Sequence, residues 1–164
     1  MLQSILSPAS GLGKNLFHII SSLTPMVNVD LLIIKNKNVL LSWRHDQFYG
    51  PGWHIPGGVI RYREKLESRI RKVAINELNR SAAFISPEPL LVNELFAKNR
   101  NIRGHFISLL YECDIDDKDF PLFDENNFSK NIKNGDCMWH KQIPKDFLVN
   151  QCVYKDIINE KISS

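Results

Sequence analysis

The sequence predicts an α+β or α/β sandwich, a mixed sheet with helices packed on it. Three observations predict it. Two β-rich runs, residues 27–34 and 39–43, flank a short polar turn containing asparagine. An apolar pattern at helical spacing over 64–79 follows a Gly57-Gly58 pair. Two more strand-like runs, 90–96 and 105–115, lie beyond it on either side of a polar turn, 98–104.

Residues 14–23 carry Phe17, Ile19, Ile20 and Leu23, which suits a short helix or an irregular arm packing one face. Pro25 ends that segment, because proline disfavours helix at the residue before it. The runs 27–34 and 39–43 read as a hairpin. A loop over 44–52 leads to 53–56 and the glycine pair. In 64–79, Leu66, Ile70, Val73, Ala74 and Leu78 recur on one face and charged residues fill the other. Asn79 is the C-terminal stop. The acidic, Asn-rich stretch 116–136 is expected to be an exposed loop. A short strand begins at 138–139, and 146–161 resembles a terminal helix with Phe147, Leu148, Val153, Ile157 and Ile158 toward the core.

Of the 164 residues, 43% are hydrophobic and 24% charged, which excludes collagen-like, disordered and membrane classes. One domain is expected, 25–164, preceded by an arm at 1–24. A net charge of +3 is compatible with phosphate-bearing ligands and far from a nucleic-acid footprint. Cys113, Cys137 and Cys152 form no CxxC pair and are odd in number, so a reduced cytoplasmic setting is expected. The first residues lack the charged and apolar regions of a signal peptide.

The informative stretch runs from 57 to 78. A double glycine after Pro56 lets the backbone turn tightly and bares its carbonyls, which are hard oxygen donors suited to Mg²⁺ or Mn²⁺. On an ideal helix Glu77 shares a face with Leu66, Ile70 and Val73. A carboxylate inside an apolar stripe is costly unless paired or metal-bound. Glu64 stands at the helix N-terminus, where the dipole favours an anion.

These residues resemble the Nudix box, G-x5-E-x7-R-E-U-x-E-E-x-G-U, with U a bulky apolar residue. Gly58, Glu64 and Glu77 match its first glycine, first glutamate and last glutamate without gaps. Lys72, Val73, Asn76, Asn79 and Arg80 depart from it. GDP-mannose mannosyl hydrolases, one branch of the superfamily, lack the same two glutamates that Val73 and Asn76 replace. The segment 25–33 with Asp30, the approach LLSWR…GPGWHIPGG with Arg44, the GHF at 104–106 and Trp139 are also similar to that branch.

The resemblance implies a Nudix-type α/β/α sandwich with a mixed central sheet. It implies a Mg²⁺-dependent hydrolase (Mn²⁺ as the alternative) acting on a nucleoside-diphosphate sugar such as GDP-mannose, by water attack at the anomeric carbon. Carried over, Gly57 offers its carbonyl and Glu77 its carboxylate to the metal, with Glu64 as a further candidate. Arg44 neutralises the departing diphosphate, Asp30 binds within the substrate pocket, His105 lines the site near the diphosphate and Trp53 walls it. The branch's glutamine ligand and catalytic histidine fall on Lys133 and Asn134 in one register and on Asn126 and Asn127 in the other. Asn126 retains an amide oxygen for Mg²⁺, but no asparagine serves as base. A homodimer joined through the arm is implied as well, with no nucleic-acid or membrane partner.

Plainer readings stand beside these. Arg44 is equally a surface arginine, Glu77 a residue at the edge of the stripe reaching water, Glu64 a helix cap and His105 a core histidine. Asp30 pairs equally well with a nearby cation. His45, His54 and His140 are isolated and read as structural, with His140 the nearest substitute base. Trp43, Phe48, Tyr49 and Trp53 serve packing or base stacking. Arg61, Arg63, Arg69 and Arg71 read most simply as a solvated basic surface. A Nudix pyrophosphatase and a nucleotide-sugar binding module remain as the rival functions.

Overall fold

A computed structural model describes residues 11–97, 100–116, 120–123 and 132–164. Helix α1, Lys14–Leu23, ends at an extended Thr24. Strands β1, Met26–Leu32, β2, Ile34–Lys35, and β3, Asn38–Arg44, follow. The turn between β2 and β3 puts Asn36 and Lys37 at φ 48 and 60. Two consecutive left-handed residues give the turn whose twist matches that of the strands.

The expected hairpin over 27–34 and 39–43 is real only at its tip. Residues Ile34 and Lys35 pair with Val39 and Asn38. Strand β1 instead joins another sheet, antiparallel to β5, Gly57–Val59, and parallel to β8, His105–Ile115. The cause is burial: Val29, Asp30, Leu31 and Leu32 are all buried. Such a central strand needs a ladder partner on both edges.

That mixed sheet runs β5-β1-β8-β6, with β6 spanning Ala82–Phe84, and β7, Leu91–Phe96, also paired to β8. A second, antiparallel sheet gathers β2, β4 (Gly52–His54) and β9 (Cys137–His140) on β3. The architecture is the mixed α/β type expected. Side chains alternate along β1, so Val29 and Leu31 enter one core cluster with Ile70 and Val73 of α2, Leu66–Val73. Leu32 enters the other, with Trp53, Phe147, Tyr154 and Ile158. Ile70 is fully buried and contributes about 1.5–3 kcal/mol through transfer from water.

Three local expectations are corrected. The glycine pair forms strand β5 rather than a tight turn. The helix expected over 64–79 starts at Leu66, and after Val73 it widens into a π-helical turn, Ala74–Leu78. It stops where expected, with Asn79 at φ 51. The terminal helix is shorter than 146–161. Trp53 donates its N–H to Asp146 O and accepts from Leu148 N–H, which holds that segment extended along β4. The chain then forms a 3₁₀ turn, Val149–Tyr154, and α3, Lys155–Ser163.

Candidate active site

The mixed sheet, the π-turn and the loop after β3 enclose a cleft of about 780 Å³. Gly57, Glu77, Asp30 and Arg44 all line it. Each reaches the cleft for a local reason.

Gly57 lies opposite Asp30 in the β1–β5 ladder. The flanking bonds, Leu31 N–H to Pro56 O and Ile60 N–H to Val27 O, place the Asp30–Gly57 pair at a non-hydrogen-bonded position. Strand β5 is an edge strand, so Gly57's peptide groups point away from the ladder and its carbonyl is left for a ligand. Only glycine fits there. A Cβ would stand 2.0 Å from Asp30 Oδ1 and 2.9 Å from Val29 O. Gly57→Ala is therefore expected to cost about 1–3 kcal/mol of stability, read as a lowered urea midpoint, with Gly13→Ala as the unhindered control. An unshifted midpoint would refute the close approach.

Glu77 owes its position to the π-turn. Ala74 stays in the core, and Leu78, five residues after Val73, returns to it at 3% exposed. Glu77 is displaced to the edge of the stripe, half-buried, beside Gly57. Burial raises its pKa to about 7, against the pull of Arg44 and of the Gly57 N–H. A carboxylate with no ion-pair partner among the described residues, next to an edge-strand carbonyl, is a hard-oxygen pair that suits Mg²⁺. Among the described residues no group of three or more acidic, histidine or cysteine side chains is placed to hold a metal, and Asp30, the nearest acidic neighbour, has both oxygens engaged in hydrogen bonds. The pair fits one ion whose remaining positions fall to water and to a ligand's phosphates.

Asp30 is buried beneath the cleft. Its Oδ1 accepts from Asn28 at 2.7 Å, and its Oδ2 accepts from Tyr154 at 2.6 Å and from Ser108. Burial outweighs these bonds and raises its pKa to about 6. With both oxygens engaged, it ties β1, β8 and the C-terminal segment together under the site.

Arg44 donates from Nε to Asp46 at 2.6 Å, and its guanidinium lies 4.4 Å from the Tyr49 ring centroid. Asp46 also accepts the N–H groups of Phe48 and Tyr49 at 2.7 and 2.9 Å, which fixes the loop that carries the arginine. Arg103 lines the same cleft. Its basicity is lowered, first by burial and then by the neighbouring Arg44.

The structure does not bring the other candidates together with these. Glu64 lies outside the cleft lining, and its carboxylate is enclosed by Arg69 at 2.6 Å, Lys72 at 2.9 Å and the Arg61 N–H at 3.0 Å. It organises the helix start, and Arg69 is buried with it rather than on a solvated surface. His105 pairs with Glu94 at 3.0 Å and stacks on Phe96, lining a separate cavity beside α1. Trp53 is 1% exposed in the core, where it packs against Trp43, Phe123 and His140. Lys133 and Asn134 do line the cleft, and Asn134 Oδ1 accepts the His45 N–H at 2.8 Å. Asn126 and Asn127 lie outside the described residues.

His54 lines the cleft, and its Nδ1 lies 2.8 Å from Ile55 O. A carbonyl only accepts, so Nδ1 carries the proton and Nε2 keeps a lone pair. Burial lowers its pKa to about 4. His140 is not a substitute base. It is 1% exposed in the core, and neither ring nitrogen has a hydrogen-bond partner among the described residues.

Burial lowers the His140 pKa to about 4 from 6.5. Between those values the unfolded chain binds a proton that the folded one refuses, so stability falls as pH drops. The loss is about 2 kcal/mol at pH 5. Asp30 and Glu77, with raised values, act in the opposite direction, so the comparison must be with His140→Phe. That variant is expected to lose about 2 kcal/mol less than wild type between pH 7.5 and 5 in urea unfolding. Equal losses would refute it.

No family model matches the chain. It is similar to an ADP-ribose pyrophosphatase of Methanocaldococcus jannaschii, 27% identical over 135 residues, covering 77% of this chain and 75% of that one. It is also similar to the low-salt glycan biosynthesis protein Agl8 of Haloferax volcanii, 28% identical over 102 residues, 60% of this chain and 64% of that protein. Among solved structures, a MutT Nudix hydrolase of Burkholderia pseudomallei superposes with a TM-score of 0.58 at 16% identity, covering 84% of this chain and 98% of that one. A UDP-X diphosphatase gives 0.59 at 16% identity, with coverages of 99% and 76%. The fold is that of these Nudix hydrolases.

Proposed function

We propose that the protein is a Mg²⁺-dependent hydrolase of a nucleoside-diphosphate sugar that works as a GDP-mannose mannosyl hydrolase does. The carrying observation is the metal corner, one carboxylate, Glu77, and one peptide oxygen, Gly57, with Val73 and Asn76 where further ligands would stand. That set is sparse for activating water at phosphorus through several ions. It is sufficient to neutralise a diphosphate that leaves.

In this reaction water attacks the anomeric carbon, the bond from that carbon to the diphosphate oxygen breaks, and the nucleoside diphosphate departs with its electrons. A bound Mg²⁺ would supply charge neutralisation on the diphosphate. Arg44 adds a fixed guanidinium aimed at the same charge. His54, a neutral imidazole that lines the cleft, would take the water's proton at Nε2. With a pKa near 4 it is a weak base, so slow turnover is expected.

Product analysis tests the proposal. GDP-mannose with Mg²⁺ is expected to yield GDP and free mannose. GMP and mannose 1-phosphate would place attack at phosphorus, the pyrophosphatase reading that the M. jannaschii relative favours. Tight binding without product over long incubation would leave a binding module.

A further inference from the structure

The peptide groups of Trp53 point away from β3 and meet Asp146 O and Leu148 N–H, a parallel bridge centred on Phe147. Ile55, two residues on, points its own N–H and carbonyl the same way. By then the neighbouring segment has turned into the 3₁₀ turn Val149–Tyr154 and supplies no further peptide. Ile55 is fully buried, and among the described residues no backbone group meets its N–H or its carbonyl.

The Gln151 amide takes the place of the missing peptide. Its Oε1 accepts the Ile55 N–H at 2.7 Å, and its Nε2 donates to Ile55 O at 3.3 Å. The N–H needs an acceptor, so the amide fits in this orientation alone. Ile55 O has a second lone pair, which takes His54 Nδ1–H at 2.8 Å. The His54 ring makes no other hydrogen bond among the described residues. The carbonyl that selects its tautomer is therefore the one that Gln151 grips. Gln151 and His54 are both buried, and both line the cleft. The same turn sends Tyr154 to Asp30 beneath it, so this short segment braces the cleft at two points.

We propose that Gln151 is a positioning residue for His54: by aiming Ile55 O at Nδ1 it holds the Nδ1–H tautomer and keeps Nε2 unprotonated. The proposal rests on the reading of His54 as the group that takes the water's proton. When Nε2 accepts that proton, Nδ1–H stays on Ile55 O, and the carbonyl faces the charge of the imidazolium. The water's oxygen keeps the electron pair that forms the new bond to the anomeric carbon.

NMR of the imidazole nitrogens in the full chain at neutral pH tests it without substrate. In wild type His54 is expected to show one tautomer, protonated at Nδ1. Gln151→Met keeps the length of the side chain and loses both bonds to Ile55. It is expected to give a mixture of tautomers and, with GDP-mannose and Mg²⁺, a fall in kcat of about tenfold with KM changed about twofold or less. Should Gln151→Met fail to fold, Gln151→Asn, whose amide falls one methylene short, is expected to give the same mixture. A role in packing alone would lower the unfolding temperature and leave both tautomer and kcat as they were, which would overturn the proposal. A wild-type His54 protonated at Nε2 would overturn it as well. A mixture in the variant without any loss of kcat would uphold the positioning of His54 and sink instead its reading as the base.

Discussion

Glu77→Gln is expected to abolish most turnover, lowering kcat roughly 10²- to 10⁴-fold at saturating Mg²⁺ while leaving the fold intact. The side chain is nearly isosteric, so the π-turn and the Leu78 packing persist. What disappears is the Glu77 carboxylate beside Gly57. The variant also carries a second signature. Wild type holds a half-buried carboxylate with no ion-pair partner among the described residues, whose burial outweighs the pull of Arg44 and destabilises the metal-free fold. The amide removes that burden, so the metal-free variant is expected to be at least as stable as wild type. Added Mg²⁺ should then raise the unfolding temperature of wild type alone. Wild-type turnover in the variant, or an equal thermal response to Mg²⁺, would sink the Glu77–Gly57 assignment.

Much of the site was legible because it lies in one contiguous stretch. The spacing from Gly58 through Glu64 to Glu77 needs only a strand, a turn and a helix to be placed correctly. Even there, ideal helical geometry put Glu77 inside the apolar stripe. The π-turn moved it to the edge, and nothing in residues 74–78 announces an extra residue per turn. The glycine pair was read as a turn because its partner, Asp30, lies far back in the chain. Its steric requirement belongs to a cross-strand contact rather than to φ. Asn79 was read correctly since left-handed caps are a local property of asparagine and glycine.

Trp53 and His105 lie outside the cleft lining for another reason. Both sit next to site residues in sequence, and alternation tells which residues share a face but not what that face meets. Trp53 turns toward Phe147 and α3's core cluster, and His105 toward Phe96 and α1. Arg103 and its contact with Tyr49 were missed altogether, because the two lie on a hairpin turn and a loop some fifty residues apart in the chain. Only the tertiary fold brings them together.

Arg44→Ala separates a catalyst from a binding module. As the anomeric bond breaks, a diphosphate shared with the sugar becomes a free leaving group with more negative charge. A guanidinium fixed beforehand by Asp46 and Tyr49 stabilises that added charge without reorganising. The interaction is stronger in the transition state than with bound substrate, so the loss should fall on kcat rather than on binding. The expected result is a fall in kcat of about 10²- to 10³-fold, against a change in GDP-mannose dissociation constant of about tenfold or less. Arg44→Lys should recover only part of the rate, because an ammonium keeps the charge but not the fork that Asp46 orients. A variant whose binding weakens while kcat stays level would show that Arg44 only holds the ligand. The cleft would then have the electrostatics of recognition without those of bond cleavage.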